Sequence, residues 1–229
     1  MTYGVNERFL TWQGEGAWSG QCAYFIRLHG CDQRCPWCDS AGTWHPEFIP
    51  KSIERFDAAG LADAVPIDKP FGFTVLTGGE PAMYDLEPVI DAIREKSNRP
   101  VHLETAGHRP IRGNPNWITL SPKPFAALPL RENVQRASEF KLIIEHQDDI
   151  ERALESIEDR RNGAPIYLHP EWSQRDNQAV QQTITGWIKK HGSPFRAGYQ
   201  LHKLYRADFD DPNARRTWIP LGGDESRGY

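Results

Sequence analysis

Residues 31–38 read Cys31-Asp32-Gln33-Arg34-Cys35-Pro36-Trp37-Cys38, three thiols within eight positions, while the fourth cysteine of the chain, Cys22, stands apart. A secreted disulfide scaffold spreads its cysteines, whereas a cluster this tight suits metal or redox chemistry. Thiolates select soft or borderline metals, chiefly zinc and iron–sulfur clusters. Both usually take four protein ligands, and the sequence offers Cys22, His29 or His45 as a fourth. With no fourth, one iron of a cluster stays open to a small molecule. On spacing alone, a structural zinc loop is the plainer alternative.

The loop follows a short apolar and aromatic stretch, 22–29, which reads as a buried strand. Further strand candidates lie at 71–76, 101–104, 117–120, 140–144, 165–168 and 198–201. Helical spacing runs over 52–65 (with Ser52 as N-cap), 86–96, 148–159 and 177–190. Strands alternating with helices predict parallel β/α architecture. The stretch 108–116 is too rich in Pro and Gly for a crossover helix. A closed eightfold barrel takes about 250 residues, and this chain has 229. The prediction is therefore an α/β protein, an incomplete TIM-type β/α barrel with reduced helical content. It would occupy 1–205 as a single domain, with an irregular extension over 206–229.

Composition narrows the class. The chain is 38% hydrophobic, and its eight Trp, ten Phe and seven Tyr supply the apolar area of a core. Its 27 basic and 31 acidic residues leave a net charge of -4, without the basic excess of a nucleic-acid binder. No apolar run reaches the roughly 20 residues that span a bilayer. The amino terminus lacks the basic and apolar regions of a signal peptide. The expectation is a cytoplasmic protein with neither nucleic acid nor membrane as partner.

Two motifs refine the cysteine reading. Trp37 places an aromatic before the last cysteine, and Thr77-Gly78-Gly79-Glu80-Pro81 follows about 40 residues later at the end of a predicted strand. The pair resembles the cysteine and Gly-Gly-Glu motifs of the radical S-adenosylmethionine (SAM) superfamily. Near the amino terminus, Trp12-Gln13-Gly14-Glu15-Gly16 resembles the opening motif of the 7-carboxy-7-deazaguanine synthases. Arg27, Cys38-Asp39-Ser40, Glu104-Thr105-Ala106-Gly107, Ser121-Pro122-Lys123 and Gln200-Leu201-His202-Lys203 also fall where that family carries similar elements. The resemblance spans roughly residues 5–205. It implies a homodimeric enzyme of queuosine-type 7-deazapurine biosynthesis with a [4Fe-4S] cluster, SAM and Mg2+. Such an enzyme converts 6-carboxy-5,6,7,8-tetrahydropterin to 7-carboxy-7-deazaguanine with loss of ammonia, and takes electrons from a flavodoxin or ferredoxin-type protein.

The resemblance also implies roles. Cys31, Cys35 and Cys38 would hold the cluster, since a fourth thiolate would block SAM, and Cys22 is left to packing. Ser40, where the family more often has Thr, would ligate Mg2+ as a hard oxygen donor. The planar fork of Arg27 suits the 6-carboxylate. Trp12, Gln13, Gly14, Thr77, Glu104 and His202 would line the pterin, with Glu104 accepting from ring N–H groups and His202 approaching from the last strand. Trp37, Gly79, Glu80, Ser121, Pro122, Lys123, His169 and Trp172 would face SAM. Plainer readings are an ordinary salt bridge for Arg27, a turn residue for Ser40, a strand-ending turn at 169–172 and a structural histidine at 202. Two other functions stand beside this one. A glycyl-radical-enzyme activase shares the cysteine spacing, but its protein substrate leaves Gln13-Gly14-Glu15-Gly16 without purpose. A zinc-stabilised binding module would do no catalysis. Family members typically end soon after the His-Lys element and bring their terminal carboxylate to the substrate. Here 26 residues follow Lys203, so the extension is expected to cover the site, extend the dimer surface or stay irregular.

Overall fold

The computed structural model describes residues 1–207. The strands are β1 (Tyr3–Trp12), β2 (Cys22–Leu28), β3 (Glu54–Phe56), β4 (Phe73–Gly78), β5 (Val101–Thr105), β6 (Trp117–Leu120), β7 (Glu139–Ile144), β8 (Ile166–Pro170) and β9 (Phe195–Ala197). They form one sheet in the order β3-β1-β2-β4-β5-β6-β7-β8-β9. Neighbours run parallel from β2 through β9, while β1 pairs antiparallel with both β2 and β3. Among the described residues no ladder joins β9 to β1, so the barrel is incomplete. The helices are α1 (Ala58–Asp63), α2 (Glu87–Ser97), α3 (Arg131–Arg136), α4 (Gln147–Glu155), α5 (Gln178–His191) and α6 (Leu201–Tyr205).

Strand parity builds the layers. Along β2, Tyr24, Ile26 and Leu28 point one way and Ala23, Phe25 and Arg27 the other, as a two-residue period requires. The first set packs with Leu76, Val101 and Leu103 against Leu61 of α1 and Ile90 and Ile93 of α2. In the second half, Leu142, Ile144, Ile166 and Leu168 meet Ile150 of α4 and Val180 and Ile184 of α5. The inward set holds only a small apolar cluster, Phe9, Ala23, Phe25, Phe73 and Val75, with Trp18 against it. The interior above that cluster is polar. The stretch 108–116 has no helix, as predicted. Polar bonds brace it instead: Arg136 donates to the Ile111 and Gly113 carbonyls at 2.7 and 2.6 Å, and Asn133 to those of Gly107 and Arg109, both at 2.7 Å.

The structure departs from the sequence reading at several places, and α3 is a further helix that the reading did not include. The segment 52–65 is not one helix: residues 54–56 pair with Tyr3–Val5 as β3, and α1 begins only after Asp57. Asp57, not Ser52, caps it, accepting from the Gly60 amide at 2.8 Å. Non-local pairing overrides helix propensity there. β1 itself went unread. The last strand is 195–197 rather than 198–201, so His202 stands on α6 and not on a strand. The extension expected at 206–229 lies outside the described residues from 208 onward.

The β1–β2 connection folds back under the sheet. Trp18 meets Phe73, His102 and Trp117 at centroid distances of 5.5, 5.1 and 5.5 Å. These three residues lie at or next to the starts of β4, β5 and β6, so Trp18 closes the amino ends of the strands and leaves their carboxyl ends open. His102 stacks on Phe73 at 4.0 Å, and burial pushes its pKa down to about 4. Between about pH 6.5 and 4 the unfolded chain therefore binds this proton and the folded one does not, so stability falls as pH drops through that window. His102→Phe keeps the stacking and removes the titration. Urea unfolding at pH 7 and pH 4.5 should show a pH-dependent loss smaller by about 2–3 kcal/mol in the variant than in wild type, and equal losses would contradict the assignment.

Candidate active site

The carboxyl ends of the strands surround a cavity of about 290 Å³, where β/α folds place ligands. Cys31, Cys35 and Cys38, on the loop leaving β2, all line it. Cys22, His29 and His45 do not. Cys22 packs against the outer core, and the His45 Nδ1 accepts from the Glu47 amide at 3.3 Å. All four cysteines are free thiols. Burial raises the Cys31 thiol and pushes Cys35 up to about 12. Among the described residues no three His, Cys, Asp or Glu side chains meet as ligands of a single ion. Three thiols that line one cavity without converging suit a group larger than one ion, and none of Cys22, His29 and His45 joins them there.

The loop is pinned from two sides. Asp32 takes His108 Nε2 at 2.7 Å and Arg109 Nε at 2.9 Å. Behind it, Gly78 and Gly79 cross the end of β2. Gly78 has a φ of +141°, and a Cβ there would strike the Leu28 backbone, while one at Gly79 would strike the Gly30 carbonyl. The buried Glu80 carboxylate accepts from Thr105 Oγ1 at 2.5 Å and from the Ala82 and Ala106 amides at 2.9 and 2.8 Å. It thereby ties the β4 turn to the end of β5. Gly79, Glu80, Trp37, Ser121, Lys123 and Trp172 line the cavity. Lys123 donates to the Ser121 carbonyl and hydroxyl, each at 2.6 Å, and lies 5.5 Å from the Trp37 ring centroid. Pro122 and His169, expected on the SAM side, do not line the cavity. The buried His169 ring fills the space a Cβ on Gly198 would need, and its electrostatic neighbours are Glu15, Lys141 and His202.

Trp12, Gln13, Gly14, Arg27, Ser40, Thr77, Glu104 and His202 line the same cavity. Gln13 Nε2 donates to Glu104 Oε1 at 2.8 Å, and Thr77 Oγ1 to Glu104 Oε2 at 2.9 Å. Both carboxylate oxygens are thus held in a fixed plane, with lone pairs to spare. Glu7 pairs with Arg27 through Nε, and the Arg27 Nη edge makes no protein hydrogen bond among the described residues. Ser40 Oγ lies 3.7 Å from Cys38 Sγ and donates to the Gly78 carbonyl at 3.4 Å, which leaves its lone pairs available. Gly14 has no room for a side chain, because a Cβ would sit in the His202 ring. The Gly14 carbonyl accepts from the Leu201 amide at 3.1 Å, and Trp12 meets Tyr205 edge-on at 5.5 Å. So α6 docks on the β1–β2 turn, on the side where the barrel is not closed by a ladder.

Among the lining residues to which the sequence reading gives no role are five polar ones, Glu15, Asp39, Lys141, Gln200 and Lys203, all but Lys141 standing within the motifs quoted above. Asp39 bonds Gln200 Nε2 and Lys203 Nζ, each at 3.2 Å, and joins the cysteine loop to α6. Burial would raise its pKa, but Lys203 and Arg27 hold it well below the usual carboxylate range. Lys141 Nζ donates to Glu15 Oε2 at 2.5 Å. The readable signal for Lys141 was a cation inside the otherwise apolar strand 140–144.

No family-wide sequence model matches the chain. Individual relatives do. The 7-carboxy-7-deazaguanine synthase of Synechocystis sp. is 39% identical over 203 residues, covering 89% of this chain and 92% of the relative. That of Escherichia coli K12 is 34% identical, covering 89% and 98%. The crystal structure of QueE from Escherichia coli superposes with a TM-score of 0.73 at 30% identity, over 88% of this chain and 95% of the other. With these identities holding over nearly the full length of the relatives, the chain belongs to the 7-carboxy-7-deazaguanine synthase family.

Proposed function

We propose that this protein is a radical SAM 7-carboxy-7-deazaguanine synthase, converting 6-carboxy-5,6,7,8-tetrahydropterin to 7-carboxy-7-deazaguanine with release of ammonia in queuosine-type biosynthesis. The carrying observation is one cavity lined at once by three free thiols, by the open Nη edge of Arg27 and by the Gln13–Glu104–Thr77 set. The kinship to named synthases favours this reading over a glycyl-radical-enzyme activase or a zinc-stabilised module.

Cys31, Cys35 and Cys38 would hold a [4Fe-4S] cluster, and Gly79, Ser121, Lys123, Trp37 and Trp172 would bound SAM beside it. When bound, cluster and SAM supply the radical chemistry of the superfamily. The chain's residues orient the pterin and exclude water. Arg27 presents two parallel N–H donors to the substrate carboxylate. Ser40 offers a hydroxyl oxygen to Mg2+ near that carboxylate. Glu104, braced by Gln13 and Thr77, accepts from the ring N–H groups, and His202 covers the ring from α6. A flavodoxin or ferredoxin-type reductant, a homodimer, a cytoplasmic location and a single domain over 1–205 with a separate extension complete the proposal. No helix among the described residues is long and apolar enough to cross a membrane.

The test is anaerobic turnover of reconstituted protein with dithionite, SAM, Mg2+ and the carboxypterin, read by mass detection of the deazaguanine. Wild type and Cys22→Ala should form product. Cys31→Ala, Cys35→Ala and Cys38→Ala should form none and lose the visible absorbance of the cluster. Loss of that absorbance in Cys22→Ala would overturn the three-thiolate assignment.

Substrate affinity tests Arg27 separately. A lysine cannot reproduce two parallel bonds, and one lost charge-assisted bond of about 1.5–3 kcal/mol weakens binding roughly tenfold to hundredfold. Anaerobic titration of carboxypterin should show that loss in Arg27→Lys, with SAM affinity within about twofold of wild type. Equal carboxypterin affinity in the two proteins would remove Arg27 from the substrate site.

A further inference from the structure

Glu15 and Lys141 form a buried ion pair in the wall of the cavity, and none of the roles above uses it. Their side chains retain only 9% and 20% exposure, and that exposure faces the cavity they line. Glu15 Oε2 is taken by Lys141, while Glu15 Oε1 and the other two Lys141 protons have no hydrogen-bond partner among the described residues. The pair therefore offers one acceptor beside one donor. A lactam offers the complement, a ring N–H beside a keto oxygen.

We propose that Glu15 and Lys141 together read the lactam edge of the pterin, Glu15 accepting from the N3–H and Lys141 donating to the 4-keto oxygen, and that this pair selects 4-oxo over 4-amino pterins. The proposal deepens the carboxypterin reading and rests on it.

Placement supports the assignment. The charges that act on Arg27 are Glu7, Asp39 and Glu104, and those that act on Lys141 are Glu15, Glu104 and Asp39. Arg27 and Lys141 are thus two cationic poles, each with its own carboxylate, and Glu104 and Asp39 lie within reach of both. Arg27, Glu15 and Lys141 line one cavity, so a ligand whose carboxylate rests on Arg27 can present its far end, the pyrimidinone ring of a 6-carboxypterin, to the pair. The polarity of the pair is fixed. Burial acts against both charges, but each holds the other ionised. An ammonium has no acceptor and a carboxylate no donor, so neither can adapt to an inverted edge. A 4-amino pterin would turn an N–H toward Lys141 and a bare ring nitrogen toward Glu15. That leaves both charges facing the wrong partner in a dry site, the situation in which hydrogen-bonding sites discriminate most.

The experiment is anaerobic equilibrium titration of SAM-loaded, reconstituted protein with 6-carboxytetrahydropterin and with its 2,4-diamino analogue. Wild type should prefer the 4-oxo ligand by about a hundredfold or more. Lys141→Met should bring the two affinities within about threefold, with SAM affinity unchanged. Because that substitution strands the Glu15 charge and can cost folding, Glu15→Gln/Lys141→Met is the companion. It buries no charge, and its amide can turn to suit either edge, so it too should bind both ligands about equally. A wild type without preference, or a folded variant that keeps a hundredfold preference, overturns the proposal. Wild type that binds neither ligand overturns the carboxypterin reading itself, and this proposal with it.

Discussion

A charge on the inward face of a curled sheet must find a counter-charge or a ligand, because an uncompensated buried ion costs several kcal/mol. That constraint organises this molecule. Strand parity places Arg27 on β2, Glu104 on β5 and Glu139 and Lys141 on β7 toward the interior, and turns the Leu, Ile and Val neighbours of the same strands outward. The interior is then too charged to close as a packed core. Three pairs join ions of different elements, Arg27 with Glu7 of β1, Lys141 with Glu15 of the β1–β2 turn, and Asp39 of the cysteine loop with Lys203 of α6, while Glu104 and Glu139 are met by neutral hydrogen-bond donors. The remaining valences face the cavity.

The same constraint explains why the β1–β2 turn is rich in both glycine and acid. Gly14 yields its side-chain space to His202, and Gly16, at a φ of +67°, yields its own to the Glu139 carboxylate. Glu139 in return accepts from the Ala17 amide at 2.9 Å and from Thr119 at 2.7 Å. Trp18 then anchors the turn from below, so Gln13 and Glu15 are presented upward on a support that reaches β6 and β7. The incomplete closure of the sheet is part of this design, since α6 occupies the side where a further strand would otherwise shut the cavity.

Much of this was legible in the sequence. The seven parallel strands were readable from apolar runs, although the last was misplaced by three residues, and the helix-free link at 108–116 from its Pro and Gly content. The cysteine spacing and the Gly-Gly-Glu turn marked one wall of the cavity. What escaped was set by distant partners. β1 and β3 lack a clean period because their pairing, not their composition, holds them, and Asp57 displaced Ser52 as a cap once residues 54–56 were drawn into the sheet. Asp39, Lys203 and the Glu15–Lys141 pair are ordinary surface residue types until the fold brings them together across 164 and 126 positions of sequence. His169 was read from its place at a strand end, but Gly198 lets its ring settle into the wall behind Glu15 rather than into the cavity.

The central proposal is that the three thiols lining the cavity, and not Cys22, hold a [4Fe-4S] cluster with one iron left open to SAM. The most direct measurement is electron paramagnetic resonance of the reduced, reconstituted protein before and after addition of SAM, in wild type and in Cys22→Ala. The account predicts a [4Fe-4S] signal whose g-values change on addition of SAM, and the same change in Cys22→Ala. A signal that SAM leaves untouched would mean that a fourth protein ligand closes the cluster, and would contradict the account.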